Sequence, residues 1–64
     1  METSCVVTMH SKHNGVACSG ESTVIPTGTQ ISVVKRGAHD RHMYQAIVNG
    51  RTWFGWLFIE YVTV

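Results

Sequence analysis

The chain has 64 residues, a formal net charge of +1 with neutral histidines, 44% hydrophobic residues and only 14% charged residues. A chain this short makes a single domain, 1–64, with a thin core. Its apolar content excludes a disordered segment, and its small net charge argues against nucleic acid or anionic membrane as a partner. The low charged fraction favours a surface partly covered by a partner, for which a second copy of the chain is the simplest candidate.

The first half of the chain is predicted to contain one short strand and a long polar segment. Residues 5–9 are apolar and β-branched, and alternation turns the odd-numbered side chains inward. Residues 10–22 are polar and rich in small side chains, which indicates either a long loop or a loose hairpin turning at Asn14-Gly15. No window shows a helical stripe of apolar residues, so the pattern is all-β.

The second half is predicted to contain four further short strands. Residues 29–33 alternate as the second strand, after a turn in which Gly28 takes a positive φ. The polar residues 35–42 are predicted to form an exposed loop. The third and fourth strands, 43–48 and 51–57, flank Asn49-Gly50, the strongest two-residue hairpin signal in the chain. A short turn over 58–61 and a closing strand over 62–64 complete the pattern.

Two stretches of this half carry a family resemblance. The segment "IPTGTQISVV" is a small-residue turn followed by an alternating strand, and "MYQAIVNGRTWFGWLFIEYV" holds a strand, a tight turn, a Gly-Trp-Leu strand and a Tyr-Val tail. Both are similar to the corresponding segments of SH3 domains, and the bacterial SH3 pattern fits the tail at least as well as the eukaryotic one. The resemblance covers residues 23–64 and implies a small five-stranded SH3-like barrel with a long loop after the first strand.

The chain departs from the SH3 pattern in the groove that binds Pro-rich peptides. Met43 stands where the family has its first groove tryptophan, and Phe58 stands where it has a proline. The early loop has only Glu21 in place of the family's acidic cluster. The resemblance therefore implies an interaction module without the usual recognition of Pro-rich ligands.

An aromatic surface is the main candidate site. Leu57 points away from Trp56 and Phe58 on an alternating strand, so burial of Leu57 places the two aromatic rings outside. The SH3 resemblance implies that Met43 and Tyr61 lie on the same exposed face. This apolar surface would be larger than a small monomer normally exposes. We predict a groove for a protein or peptide partner, or an interface between copies. The alternative is that the segment "NGVACSG" folds over these side chains.

Trp53 has the opposite parity to Trp56 and is predicted to cap the core. Phe54 shares the parity of Trp56. A bulge between Arg51 and Gly55 would exchange these assignments.

Four histidines form the pairs His10-x-x-His13 and His39-x-x-His42. They offer enough ligands for zinc, with Cys18 or Asp40 to complete the set. In a strand or loop, however, the His-x-x-His spacing does not hold the two imidazoles in a geometry suited to a metal. We therefore predict solvated histidines, with no metal and no cofactor. An intermediate alternative is that His39, Asp40, Arg41 and His42 make partner binding depend on pH. We also predict that four loop residues adjust partner specificity. These residues are His13, His39, Asp40 and His42.

The alternative function is binding of single-stranded nucleic acid through the basic loop 35–42 together with nearby aromatic rings. The low net charge favours a solubilising loop over this alternative, and we do not expect nucleic acid to be the partner. No phosphate-binding glycine loop or nucleophile elbow is present, so an enzyme is not expected. Small plasmid-borne dihydrofolate reductases use SH3-like barrels of similar length, but their Val-Gln-Ile-Tyr pore motif is absent here.

Cys5 and Cys18 are predicted to be free thiols, and a single disulfide is the alternative. Neither a signal-peptide pattern nor a membrane-spanning apolar run is visible. The sequence therefore predicts a cytoplasmic protein without a membrane partner.

Overall fold

A computed structural model describes residues 1–64 and is all-β, as predicted. The strands are β1 Glu2–Thr3, β2 Val7–His13, β3 Cys18–Ile25, β4 Ile31–Arg36, β5 Arg41–Val48, β6 Arg51–Phe58 and β7 Val62–Thr63, with a 3-10 helix at Ile59–Tyr61. Five strands form one antiparallel sheet in the order β3-β2-β6-β5-β4, and β1 pairs with β7. These are two sheets and not one closed barrel. The chain contains no helix with the length and apolarity needed to cross a membrane.

The early polar segment is a hairpin and not a loop, which confirms the second of the two interpretations. Strands β2 and β3 pair from Val7↔Ile25 to His13↔Cys18, with a register shift between His10 and Lys12. The turn forms because the Asn14 Oδ1 atom accepts hydrogen bonds from the next free amides, those of Val16 at 2.9 Å and Ala17 at 2.8 Å. Strand pairing therefore extends through residues whose side chains gave no apolar alternation.

The basic segment forms a shorter loop than predicted. Lys35 pairs with Met43 and Arg36 with His42, so β4 and β5 extend into the predicted loop and leave only residues 37–40. Polar side chains that point to solvent do not prevent backbone pairing, which is why composition overestimated the loop. His39 and Asp40 turn the chain with positive φ angles of 57° and 61°.

The strand pair β5–β6 follows the predicted register. Val48 pairs with Arg51 across Asn49 and Gly50, whose φ angles of 51° and 78° match a type I′ turn. The pairing continues without a shift to Arg41↔Phe58, so the bulge that would exchange Trp53 and Trp56 does not occur.

The core lies on one face of the large sheet. Leu57 and Trp53 are buried in it, as alternation predicted. Its buried members are Val7, Met9, Ile25, Ile31, Tyr44, Ala46, Trp53 and Leu57.

A buried polar residue, Thr3, fastens β1 to the turn before β4. Its hydroxyl donates to the Pro26 carbonyl at 2.9 Å and accepts from the Thr29 amide at 3.1 Å. The Gly28 amide donates to the Thr3 carbonyl at 2.8 Å, and Gly28 has the predicted positive φ, 86°. Because Thr3 is only 1% exposed, these bonds replace water at a place that water does not reach.

Candidate functional site

The face of the sheet opposite the core begins with three cross-strand pairs, Arg41↔Phe58, Met43↔Trp56 and Gln45↔Phe54. The tip of the β2–β3 hairpin folds onto the middle of this face. The His13 and Phe54 rings meet edge to face, with their centroids 4.3 Å apart. This contact covers the middle of the face and leaves both ends open to solvent, one around Phe58 and the other at the pair Ile47↔Thr52, where Ile47 is 67% exposed.

Two hydrogen bonds hold the hairpin tip over Met43. The Trp56 Nε1–H donates to the Val16 carbonyl at 2.8 Å, and the Lys35 Nζ donates to the Gly15 carbonyl at 2.8 Å. Trp56 and Lys35 are the two register partners of Met43, so the tip that they bind lies across it.

The structure therefore splits the predicted aromatic surface. Met43 has an exposed fraction of 0%, so the prediction that it lies on an exposed face is wrong. The alternative, in which "NGVACSG" folds over the surface, is confirmed for Met43 and for the half-buried Trp56. Phe58 and Tyr61 remain exposed, at 41% and 38%.

The loop 37–40 also approaches Trp56, at the Cζ3 atom of the indole, whereas the hairpin tip binds its Nε1 atom. A Cβ atom at Gly37 would lie 2.7 Å from the indole Cζ3 atom and 2.5 Å from the Arg41 carbonyl oxygen. Only glycine permits this approach. The indole is thus placed between two loops, and a shallow cleft of about 260 Å³ opens beside it. This Trp56 cleft is lined by Val16, Gly37, Ala38, Arg41 and Trp56.

A second cleft, of about 410 Å³, lies between loop 37–40 and the 3-10 helix. The Ile59 amide donates to the Asp40 carbonyl at 2.8 Å and fixes the distance between loop and helix. This Phe58 cleft is lined by His39, Asp40, Phe58, Ile59 and Glu60. Arg41 links the two clefts, because it lines the first while its guanidinium carbon lies 5.3 Å from the centre of the Phe58 ring.

The end of this face around Phe58 is apolar. Ile59 is 45% exposed beside Phe58, and the Phe58 and Tyr61 rings meet edge to face with centroids 5.6 Å apart. The two rings pack on one another, and Ile59 lies next to them in the chain, so these three residues form one exposed apolar surface.

Three of the four histidines, those at 13, 39 and 42, occupy two kinds of position. His39, with Asp40, lines the Phe58 cleft. His13 and His42 act on the loops instead: the Nδ1 of His13 accepts the Gly15 amide at 3.1 Å, and the Nδ1 of His42 accepts the Gly37 amide at 3.0 Å. No group of three or more His, Cys, Asp or Glu side chains is arranged to hold a metal ion.

Sequence reasoning did not identify Val16, Gly37 and Ile59 as site residues. No local pattern marks Val16 or Ile59, because their positions depend on how the hairpin folds back and where the 3-10 helix begins. Gly37 carried a weak signal as a glycine at the start of a polar stretch.

The cysteines are both free, as predicted. Burial raises the pKa of the Cys18 thiol, and a hydrogen bond from the Trp56 backbone partly opposes this rise. A raised pKa lowers the thiolate fraction at any given pH below it, so alkylation of Cys18 reports on the closure of the hairpin over Trp56.

The variant Trp56→Phe removes the Nε1–H donor but keeps an aromatic ring. Loss of this hydrogen bond should destabilise the closed hairpin tip by about 1 kcal/mol, so the tip should open more often. We therefore expect iodoacetamide to alkylate Cys18 severalfold faster at pH 8. Cys5, followed in the same sample by mass mapping, is the internal control and should keep its rate. An unchanged Cys18 rate would show that the indole hydrogen bond does not hold the tip.

Comparison of the chain with protein-family models, with curated proteins and with solved structures finds no match.

Proposed function

We propose that this chain is a non-enzymatic, SH3-like interaction module that binds a peptide segment of a protein partner across the Trp56 and Phe58 clefts. The observation that carries the proposal is the exposed apolar surface of Phe58, Ile59 and Tyr61 directly beside these two clefts. Exposed apolar side chains that cluster at the end of a sheet, next to a cleft, are typical of a binding site and not of an ordinary solvated surface.

The order of elements supports the SH3-like part of the proposal. A long hairpin precedes three antiparallel strands, a 3-10 helix follows the last of them, and a short final strand pairs with the first strand of the chain. This is the order that the SH3 resemblance implies. The hairpin tip and loop 37–40 then flank the half-buried tryptophan, as two specificity loops flank a peptide groove.

The energy available from this surface is adequate for a transient complex. Burial of apolar area contributes roughly 25 cal/mol per Å², so completing the burial of one partly exposed ring is worth on the order of 1–2 kcal/mol. Phe58, Ile59 and Tyr61 together offer several kcal/mol before entropy costs, which suits a weak complex and not a permanent one.

The test is selection of peptides from a random display library on the immobilised chain, followed by titration of the selected peptides. Phe58→Ala should weaken binding by about tenfold, since the ring loses about 1.4 kcal/mol of contact. The matched control is Ile47→Ala, because Ile47 is 67% exposed on β5 and lines a separate shallow cleft at the other end of this face, outside the Trp56 and Phe58 clefts. Equal losses in the two variants, or no selected peptide at all, would contradict the proposal.

Sedimentation equilibrium of the pure chain distinguishes a peptide partner from a second copy. A monomer is expected across the micromolar range, since an apolar surface of three side chains is small for a stable dimer. A dimer that dissociates in Phe58→Ala, but not in Ile47→Ala, would replace the peptide with a second copy of the chain.

A further inference from the structure

We propose that the Trp56 cleft takes an acidic side chain of the partner peptide, held by Arg41 next to an apolar side chain that packs on the indole. The inference rests on the proposed function and names the chemistry of its partner. It reverses the charge preference that SH3 grooves usually show, for reasons that lie in the residues of this cleft.

The charges of the two clefts differ in sign. Among the residues that line the Trp56 cleft, Arg41 is the one ionisable side chain, and no carboxylate lines it. The Lys35 ammonium reaches the rim at the Gly15 carbonyl. The carboxylates of Asp40 and Glu60 line the Phe58 cleft instead. A carboxylate on a peptide therefore meets only positive charge in the Trp56 cleft.

The guanidinium group of Arg41 is oriented but unpaired. Its carbon lies 5.3 Å from the centre of the Phe58 ring, which holds the group in place by a cation–π contact. It makes no side-chain hydrogen bond within the chain, and the only ion pair joins Arg51 to Glu21 at 3.5 Å. A planar guanidinium with free donors matches a carboxylate by two parallel hydrogen bonds. The Arg41 guanidinium group is thus oriented, and its donors are free, to bind a carboxylate of a ligand.

A peptide carboxylate fits this cleft better than a nucleic acid backbone. Binding of a nucleic acid strand needs several phosphate contacts along a positively charged groove. Here the Lys35 ammonium is already bonded to Gly15, the Arg51 guanidinium is paired with Glu21, and carboxylates line the adjoining cleft. Lys12 and Arg36 also lack an ion pair, but neither lines the Trp56 cleft, so the single guanidinium there, that of Arg41, matches one carboxylate and not a row of phosphates.

The experiment is a display selection with the wild-type chain and with Arg41→Glu. Peptides selected by the wild-type chain are expected to be enriched in Asp or Glu beside an aromatic or aliphatic residue. Changing that acid to Lys in a selected peptide should weaken wild-type binding at least tenfold, and Arg41→Glu should bind the Lys form better than the Glu form. The matched control is Arg51→Glu, which makes the same charge change on an arginine whose guanidinium carbon lies 4.7 Å from the centre of the Trp53 ring.

Four results would overturn the inference, and they are distinguishable. Selected peptides without acidic enrichment, or an Arg41→Glu preference no different from that of Arg51→Glu, would remove the inference and leave the peptide-binding function in place. The absence of any selected peptide would remove both. A thymidine oligonucleotide that binds with strong salt dependence and displaces the selected peptide would assign the cleft to nucleic acid.

Discussion

Met43→Ala is expected to destabilise the fold by about 2–5 kcal/mol, because it removes a side chain with no exposure beneath the hairpin tip and leaves a cavity there. A small domain has about 5–15 kcal/mol in total, so the loss is a large fraction of its stability. Phe58→Ala, in which a 41% exposed ring is removed from the same predicted surface, should cost about 1 kcal/mol or less.

Urea unfolding of both variants measures the difference between Met43 and Phe58. Met43→Leu is the matched control, since it keeps the apolar volume and should lose less than about 1.5 kcal/mol. Equal midpoints for Met43→Ala and Phe58→Ala would mean that the hairpin tip does not cover Met43 in solution, and the outer face would then be open as the sequence predicted.

Thr3→Val is expected to cost about 1–3 kcal/mol, because it leaves the Thr29 amide without its acceptor, while the Pro26 carbonyl keeps only the hydrogen bond from the Thr29 hydroxyl at 2.7 Å. Thr3→Ser keeps the hydroxyl and loses one methyl group, so it should retain most of the stability. Urea unfolding compares the two, and hydrogen exchange at the Thr29 amide should accelerate only in the valine variant. A valine variant as stable as the serine variant would show that the Thr3 hydroxyl does not fasten β1.

The features that the sequence predicted correctly depend on residues close to one another in the chain. The Asn49-Gly50 turn sets the β5–β6 register through the conformational freedom of two residues, and that register places Leu57 inward and Phe58 outward. The inward positions of Val7 and Met9 follow in the same way from period-two alternation.

The errors concern contacts between distant parts of the chain. Residues 10–22 lacked alternation, yet β2 and β3 pair through most of them, because an antiparallel ladder needs backbone groups and not apolar side chains. The SH3 frame placed Met43 on the surface, whereas the hairpin tip closes over it through the hydrogen bonds of its neighbours Trp56 and Lys35.

The sequence by itself determined that this protein is all-β, where its tight turns lie, and which side of β6 carries Leu57 and which carries Trp56, Phe58 and their neighbours. These properties follow from local backbone preferences and from the two-residue period of a strand. Only the tertiary structure decided how the outer side is divided between covered and exposed residues. That division depends on the bend of the β2–β3 hairpin and on the close approach of Gly37 to the indole, and both join residues far apart in the chain.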